Sequence, residues 1–580
     1  MNINIELDQI VNFLKNNQHS EALDLCNKSS NKQIEHIILN FKGAIYFKQQ
    51  NYELAKHNFL KSTESKENFI DPYKNLYLLS LKCEDFADAV KFAEEVIKIE
   101  KIKNPESYYK LAYACELNGN YNDAINFYKN SESLGFADKK SLYNNLGVVY
   151  LKVNNTNESE KYLLKALEDN KNDKIIINNL LRCYLHSRNQ DKAEVYYKKA
   201  EQINNKDDSF IYNKAEFLIS INKFEESINI LKKITEDKNN FVAPLRLASL
   251  YSKLGKNIEA EELIDSALKK YPKNTLLKYS KGRMLIKKGD FKEGWNFFEY
   301  RKSKLNEQYS SISEWKGEII TSKKILVYNE QGIGDAIQFS KYLFALSKKC
   351  KIIDFVLDDK LYPIFKKNFQ NINVLKKSEI VIKEYDYKIS LGSLIKFFYN
   401  ESDLNKNNLL HVNELKINKW KNKFDFSKLN VGIIWSGFFL GPNEPHRSIP
   451  LEKFDKILSL DANFYALQKE VWDRDTIYLK NSNIINYGNL NLDEILAIIS
   501  NLDLIISIDT SLLHMSYTLN KETWGLLSIN SDYRWGKLYE LDPYKSLKIY
   551  QQLIFDNWDT VINKVEEDLL IKINNFKQQK

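Results

Sequence analysis

Apolar and small residues recur through the first half of the chain at a helical spacing. In NYELAKHNFLKS, Ala55 lies three residues after Tyr52 and four before Phe59, on one face of a helix. The same small position returns at Ala22, Ala55, Ala89, Ala124, Ser159, Ala193, Ser227, Ala260 and Gly294, at intervals of 33, 34, 35, 35, 34, 34, 33 and 34 residues. Twelve residues upstream a second position is usually small, as in Gly43, Ala112, Gly147, Ala215, Ala248 and Gly282; Tyr77 and Leu181 depart from it. Two helices approach closely only where side chains are small, so each unit predicts a helix–turn–helix. One such pair cannot bury its own apolar face, so the units must stack.

Period and residue classes resemble tetratricopeptide repeats, about nine of them over residues 1–302. LGVVYLKVNNTNESEKYLLKAL is one of the clearest copies. The resemblance implies an α-solenoid with a groove for a polypeptide. Two residues before the upstream small position stand Asn75, Asn145, Asn179 and Asn213. A carboxamide donates and accepts, so it can pair with any peptide bond. The protein O-linked N-acetylglucosamine transferases are similar in carrying asparagines there, which makes these four candidates for an acceptor groove. The alternative is chance in an Asn-rich chain.

Beyond 302 the period changes. Residues 303–322 lack clear periodicity and read as a linker. Short β-branched runs then alternate with helical stretches: KKILVY, KIIDFVL and YDYKISL in 323–428, then VGIIW, FYALQK, NIINYG, LDLIISI and TWGLLSI in 429–580, closing on the helix WDTVINKVEEDLLIKI. Near-continuous apolar strands separated by helices predict parallel sheets covered on both faces, here as two doubly wound domains with a cleft between them.

Composition narrows the class. Of 580 residues 43% are hydrophobic and 28% charged, which opposes a mainly disordered chain. The net charge of +8 (85 − 77) is mild and no basic block dominates, so no nucleic-acid stripe is expected. Five scattered cysteines lack metal or disulfide spacing and suit a reducing compartment. Neither a signal peptide nor a membrane-spanning run is seen, so the expected location is cytoplasmic.

Ligands of such sheets bind beyond the carboxyl ends of strands. Four places qualify. After KKILVY, Gly332 and Gly334 permit a tight turn and Asp335 opens a helix, as a cap or as a general base. After VGIIW come Ser436 and then Arg447, whose guanidinium suits a phosphate or merely a solvated loop. After FYA stand Gln468 and Lys469, the latter a point charge for a diphosphate or a plain surface lysine. After LDLIISI, Asp509, Thr510, Ser511 and His514 combine free helix N–H groups with hydroxyls in an anion cradle. There Asp509 can take a sugar hydroxyl or cap the helix, and His514 can donate to phosphate or be buried structure.

Together GDFKEGWNFFEYR, EQGIGDAIQFSKYL, VGIIWSG, HRSIPL, FYALQK and LDLIISIDTSLLHMSYTLNK resemble a bacterial family: tetratricopeptide-repeat proteins with a glycosyltransferase domain related to the lipopolysaccharide heptosyltransferases. The resemblance implies a GT-B fold of two Rossmann-like domains and metal-independent, inverting transfer from a nucleotide-sugar. That donor is a substrate, and no cofactor is expected. Asp335 would be the base, with Lys469, Thr510, Ser511 and His514 on the donor diphosphate. The acceptor would be a hydroxyl of a protein held by the repeats, such as a flagellin, or of a lipid-linked saccharide; the alternative is a non-catalytic scaffold. Two stretches depart from the family's pattern, Asn520-Lys521-Glu522 and GPNEP before HRSIPL. The transferase reading needs the turn at Thr510 to lie opposite Asp335 across an open crevice; wide separation of the two, or packed side chains filling the gap, would leave only a stacked-helix adaptor.

Overall fold

The computed structural model describes all residues except 1–2, 204–206, 238–240, 305–308, 367–368, 370–371, 402–409, 439–445, 542 and 580. The chain forms two compact units, 1–227 and 228–580.

The N-terminal part is a helical-repeat solenoid. Among the described residues, nine antiparallel pairs run from Ile3–Lys15 with His19–Lys28 to Thr275–Lys288 with Phe291–Phe298. The small positions sit where the two helices of a pair touch. A Cβ at Gly43 would meet the Phe59 ring at 2.5 Å, and one at Gly147 would meet Leu163 at 2.5 Å. Where serine replaces alanine, its hydroxyl is spent on the partner helix: Ser159 donates to the Gly147 carbonyl and Ser227 to that of Ala215. Each turn inside a pair carries one left-handed residue: Asn17, Gln50, Glu84, Gly119, Asn154, Arg188, Asn222, Gly255 or Gly289. These residues repeat at the intervals of the small positions.

In the second unit the last helical pair leads into two parallel sheets. Strands β1 (Ser313–Glu314), β2 (Ile320–Tyr328), β3 (Cys350–Leu357), β4 (Ile372–Lys376) and β5 (Tyr387–Ser390) form the first, in the order β1-β5-β2-β3-β4. Strands β6 (Asn430–Ile434), β7 (Asn463–Ala466), β8 (Ile485–Asn486), β9 (Leu504–Ile508), β10 (Thr523–Leu527) and β11 (Leu547–Gln551) form the second, in the order β11-β10-β9-β6-β7-β8. Read from β6 as strand 1, this is the doubly wound order 3-2-1-4-5-6, which reverses between β6 and β9. In the first sheet the reversal falls between β2 and β5.

Segment 303–322 is not a free linker. It contributes β1, and Tyr309, Ile312 and Trp315 are buried. With Tyr385, Tyr309 and Ile312 cover the β2 face formed by Leu326 and Tyr328. The covering there is irregular chain, where a helix was expected. The opposite face, Ile325 and Val327, shares one core with Trp295 and Phe298 of the ninth helical pair and with Leu496 and Met515 of the second sheet's helices. Strands β1, β4 and β11 had no counterpart in the sequence reading. The helix expected over AIQFSKYLFALSKK is two, Ile333–Ser340 and Tyr342–Lys349.

Candidate functional site

The two reversal points face different surroundings. Beyond β2 and β5, Arg301 from the turn after the ninth pair enters the first sheet's crevice. It pairs with Glu330 at 2.7 Å and Glu299 at 2.8 Å, and donates to Ser390 at 3.0 Å and Ser393 at 2.9 Å. The Arg301 side chain is 5% exposed and that of Glu330 3%. Gly392 is required beside them, because a Cβ there would meet Glu330 Oε1 at 2.7 Å. This crevice is sealed by the protein's own guanidinium.

The Gly-Asp turn lies next to the seal. Gly332 is the N-cap of Ile333–Ser340, and its N–H bonds back to the Asp335 carboxylate. With its amide oriented to satisfy both neighbours, Gln331 donates to Asp335 and accepts from Arg301. Gly334 touches the second sheet's helix Ser511–Thr518 directly: a Cβ would lie 2.9 Å from the His514 ring. Glycine is therefore present for close approach of two helix starts.

Asp335 is not exposed across an open gap. Arg534, from the loop after β10, forms an ion pair with it. Arg534 also pairs with Asp532 at 3.1 Å and interacts electrostatically with Asp509. Asp532 holds Arg283 of the ninth pair at 3.1 Å. Burial raises the pKa of Asp335, with Asp532 and Glu330 adding to the effect and Arg534 opposing it. Burial likewise raises that of Asp509 against Arg534 and Arg447. Asp532 goes the other way: burial acts to raise it, but Arg534 and Arg283 hold it low.

His514 cannot serve as an exposed phosphate donor. It is 2% exposed, stacks on Trp535 at 5.4 Å and bonds through Nδ1 to the Tyr517 hydroxyl. Burial, helped by Arg534, drives its pKa well below the usual value, so the ring is neutral. Ser436 and Gln468 are likewise consumed. The Gln468 amide accepts from Ser436 N at 3.1 Å and donates to Ser436 O at 2.7 Å. Gly437 N donates to Ser448 and Gly437 O accepts from Trp472. Residues 436 and 437, just after β6, are thus latched along their backbone.

What remains toward solvent is a short polar rim. Thr510 and Ser511 are half-buried at the helix start, and Lys469 is exposed. Arg447 donates to the Asp509 carbonyl at 3.0 Å, bringing a cation to the end of β9. Asp335, Asp509 and Arg534 keep 16%, 14% and 15% of their side chains exposed. Of the departing stretches, 441–445 lie outside the described residues. Asn520 is left-handed, Lys521 bonds the Leu502 carbonyl, and Glu522 pairs with Lys572. The sequence reading missed the Asp532–Trp535 loop and Arg301. The signal available for both was charge interleaved with aromatics, DYRW just after β10 and FFEYR at the end of the ninth pair.

The repeat asparagines form a ladder between repeats rather than a row of free amides. Asn75 donates to Asn40, Asn145 to the Tyr109 hydroxyl, Asn179 to Asn144 and Asn213 to Asn178, each reaching back 35 or 36 residues. The acceptor stands one position earlier in its own repeat than the donor does in the next. Asn213 is 5% exposed. Stacking brings these positions within reach, and a buried amide must find partners.

Models of the tetratricopeptide repeat match residues 37–69, 105–134, 141–172, 176–207 and 245–294. The chain carries tetratricopeptide repeats across its N-terminal part. Protein FlbA of Caulobacter vibrioides is 19% identical over 334 residues, covering 50% of this chain and 54% of that protein. The chain thus spans about half the length of this curated relative. Among solved structures, MamA is 17% identical over 30% of this chain and 94% of its own, with a TM-score of 0.28. Pseudomonas aeruginosa PilF is 14% identical over 37% and 96%, with a TM-score of 0.30. A repeat protein of Parabacteroides merdae is 17% identical over 41% and 94%, with a TM-score of 0.34. Among the described residues no helix is long and apolar enough to cross a membrane.

Proposed function

We propose that the second unit is a GT-B-type glycosyltransferase and that the repeats recruit its polypeptide acceptor. The observation that carries this reading is the convergence of Asp335 and the β9–helix turn on one guanidinium, Arg534, beside the reversal point of the second sheet. Arg534, Arg447 and the N–H groups opening Ser511–Thr518 would oppose the charge of a nucleotide-sugar diphosphate. A diphosphate competing for Arg534 would free Asp335. Its raised pKa suits a base. Asp335 would accept the proton of an acceptor hydroxyl as that oxygen bonds the anomeric carbon. The bond from that carbon to the diphosphate oxygen breaks, and the nucleoside diphosphate leaves with the electron pair. Lys469, Thr510 and Ser511 would extend the donor contacts; His514, Ser436 and Gln468 would shape the site.

A scaffold reading, in which the repeats bind a protein and the sheets are catalytically silent, is favoured by the same packing. Arg534 neutralises Asp335, and the Gly334 and His514 turns touch with no gap. Thermal denaturation with nucleoside diphosphates separates the two: a ligand at 100 times its Kd adds about 2.7 kcal/mol. The transferase reading expects a raised Tm with at least one diphosphate, and nucleotide-sugar-dependent mass gain on co-purified protein that Asp335→Ala abolishes. No shift with any diphosphate leaves the scaffold.

A further inference from the structure

A cavity of about 220 Å³ lies among the helices Ile333–Ser340, Tyr342–Lys349, Leu391–Phe398 and Lys537–Leu541. It shares no lining residue with the rim around Arg534. Lys341, between the first two helices, lines it and is 5% exposed. Tyr342 and Tyr544 set their rings 5.3 and 5.5 Å from the Lys341 ammonium. Burial works against that charge, but the Tyr544 and Tyr342 phenols prevail and its pKa is raised. The ammonium thus faces a wall to which Phe339, Tyr342, Tyr399, Tyr539 and Tyr544 contribute their rings. Three residues before Lys341, on Ile333–Ser340, Gln338 is 8% exposed, and its Oε1 is buried with no hydrogen-bond partner among the described residues. A buried acceptor left unmet is destabilising, so the site calls for a donor there. At the rim Glu401 lies 3.8 Å from Lys348 and opposes a second negative charge on anything that enters.

We propose that this cavity binds a small hydroxylated monocarboxylate with a flat apolar body. The carboxylate meets Lys341, the hydroxyl donates to Gln338 Oε1, and the body lies against the tyrosines. Inorganic phosphate has an O–H to donate, but as a dianion it brings a second negative charge toward Glu401 and it has no flat apolar body for the tyrosines. The proposal is independent of the transferase reading, because none of its residues is a donor or base candidate.

The test is calorimetric titration of the full chain with 3- and 4-hydroxybenzoate, benzoate and inorganic phosphate. The expected result is saturable one-to-one binding of a hydroxybenzoate, at least tenfold tighter than benzoate, with phosphate inert. Lys341→Met abolishes it and Gln338→Leu removes the preference for the hydroxyl. Because Lys341→Met acts in the interior, Leu541→Trp serves as a second variant. Leu541 is 54% exposed at the mouth, so the fold is preserved while entry is narrowed and binding falls at least tenfold. Absence of hydroxybenzoate binding at millimolar concentration overturns the proposal, as does binding unchanged in both Lys341→Met and Leu541→Trp. Equal binding of phosphate shows a simple anion site and overturns the ligand class.

Discussion

The two sheets of the second unit place similar reversal points beside very different chemistry. The first crevice holds a buried guanidinium with the buried Glu330 carboxylate, two buried hydroxyls and the partly exposed Glu299. The second keeps Thr510, Ser511 and Arg447 near a partly exposed rim, with Arg534 answering three carboxylates at once. A parallel sheet creates a crevice wherever its strand order reverses, but the loops decide whether the protein or a ligand fills it. In the first sheet the ninth helical pair fills it. Trp295 and Phe298 sit in the core and carry Arg301 to the end of β2, which gives the run GDFKEGWNFFEYR a structural purpose.

The largest effect should come from breaking the seal. Arg301→Met leaves Glu330 buried without its cation and takes the partner from the partly exposed Glu299, and removing one partner of a buried pair costs about 3–5 kcal/mol. Chemical denaturation of the second unit's transition should show that loss. A loss under 1 kcal/mol would mean that the first crevice takes up water freely and differs little from the second.

Gly334→Ala tests the contact between the two turns. The added Cβ meets a His514 ring already fixed by Trp535 and Tyr517, and overpacking of this kind costs about 1–3 kcal/mol. If the turns are instead free to part, the variant will be neutral in Tm and will bind diphosphates better than the parent.

The smallest effect is one of pH. The folded pKa of Asp335 lies above its unfolded value, so the folded state holds the proton more tightly. Its contribution to stability is therefore full below the unfolded pKa and is lost as pH rises through the folded pKa. Asp335→Asn should gain stability over the parent as pH rises, and the two Tm curves should converge in acid. Asp532, with its lowered pKa, acts in the opposite sense in both proteins. A parent that gains on the variant with rising pH would show that Arg534 outweighs burial at Asp335.

The helical pairs and most strands were legible in the chain because each depends on local spacing. Thirty-odd residues per pair, a small residue where helices touch and apolar runs for strands are properties of neighbours in sequence. Strands β4 and β11 escaped because INVLK and LKIYQ interleave polar residues into short runs at the sheet edges. The candidate site was legible only as a set of positions. Asp335, Arg447, Asp509, Thr510 and Ser511 do come to facing strand ends. Whether each is available was invisible, because that depends on partners far along the chain. Gln468 meets Ser436 across 32 residues, Arg534 meets Asp335 across 199 and Arg283 meets Asp532 across 249. By itself the sequence determined the periods, and with them the repeats and the alternation of strand and helix. Only the tertiary structure decided which polar groups face a ligand and which face each other, because buried charges and amides are satisfied by whatever packing brings within about 3 Å, at any separation along the chain.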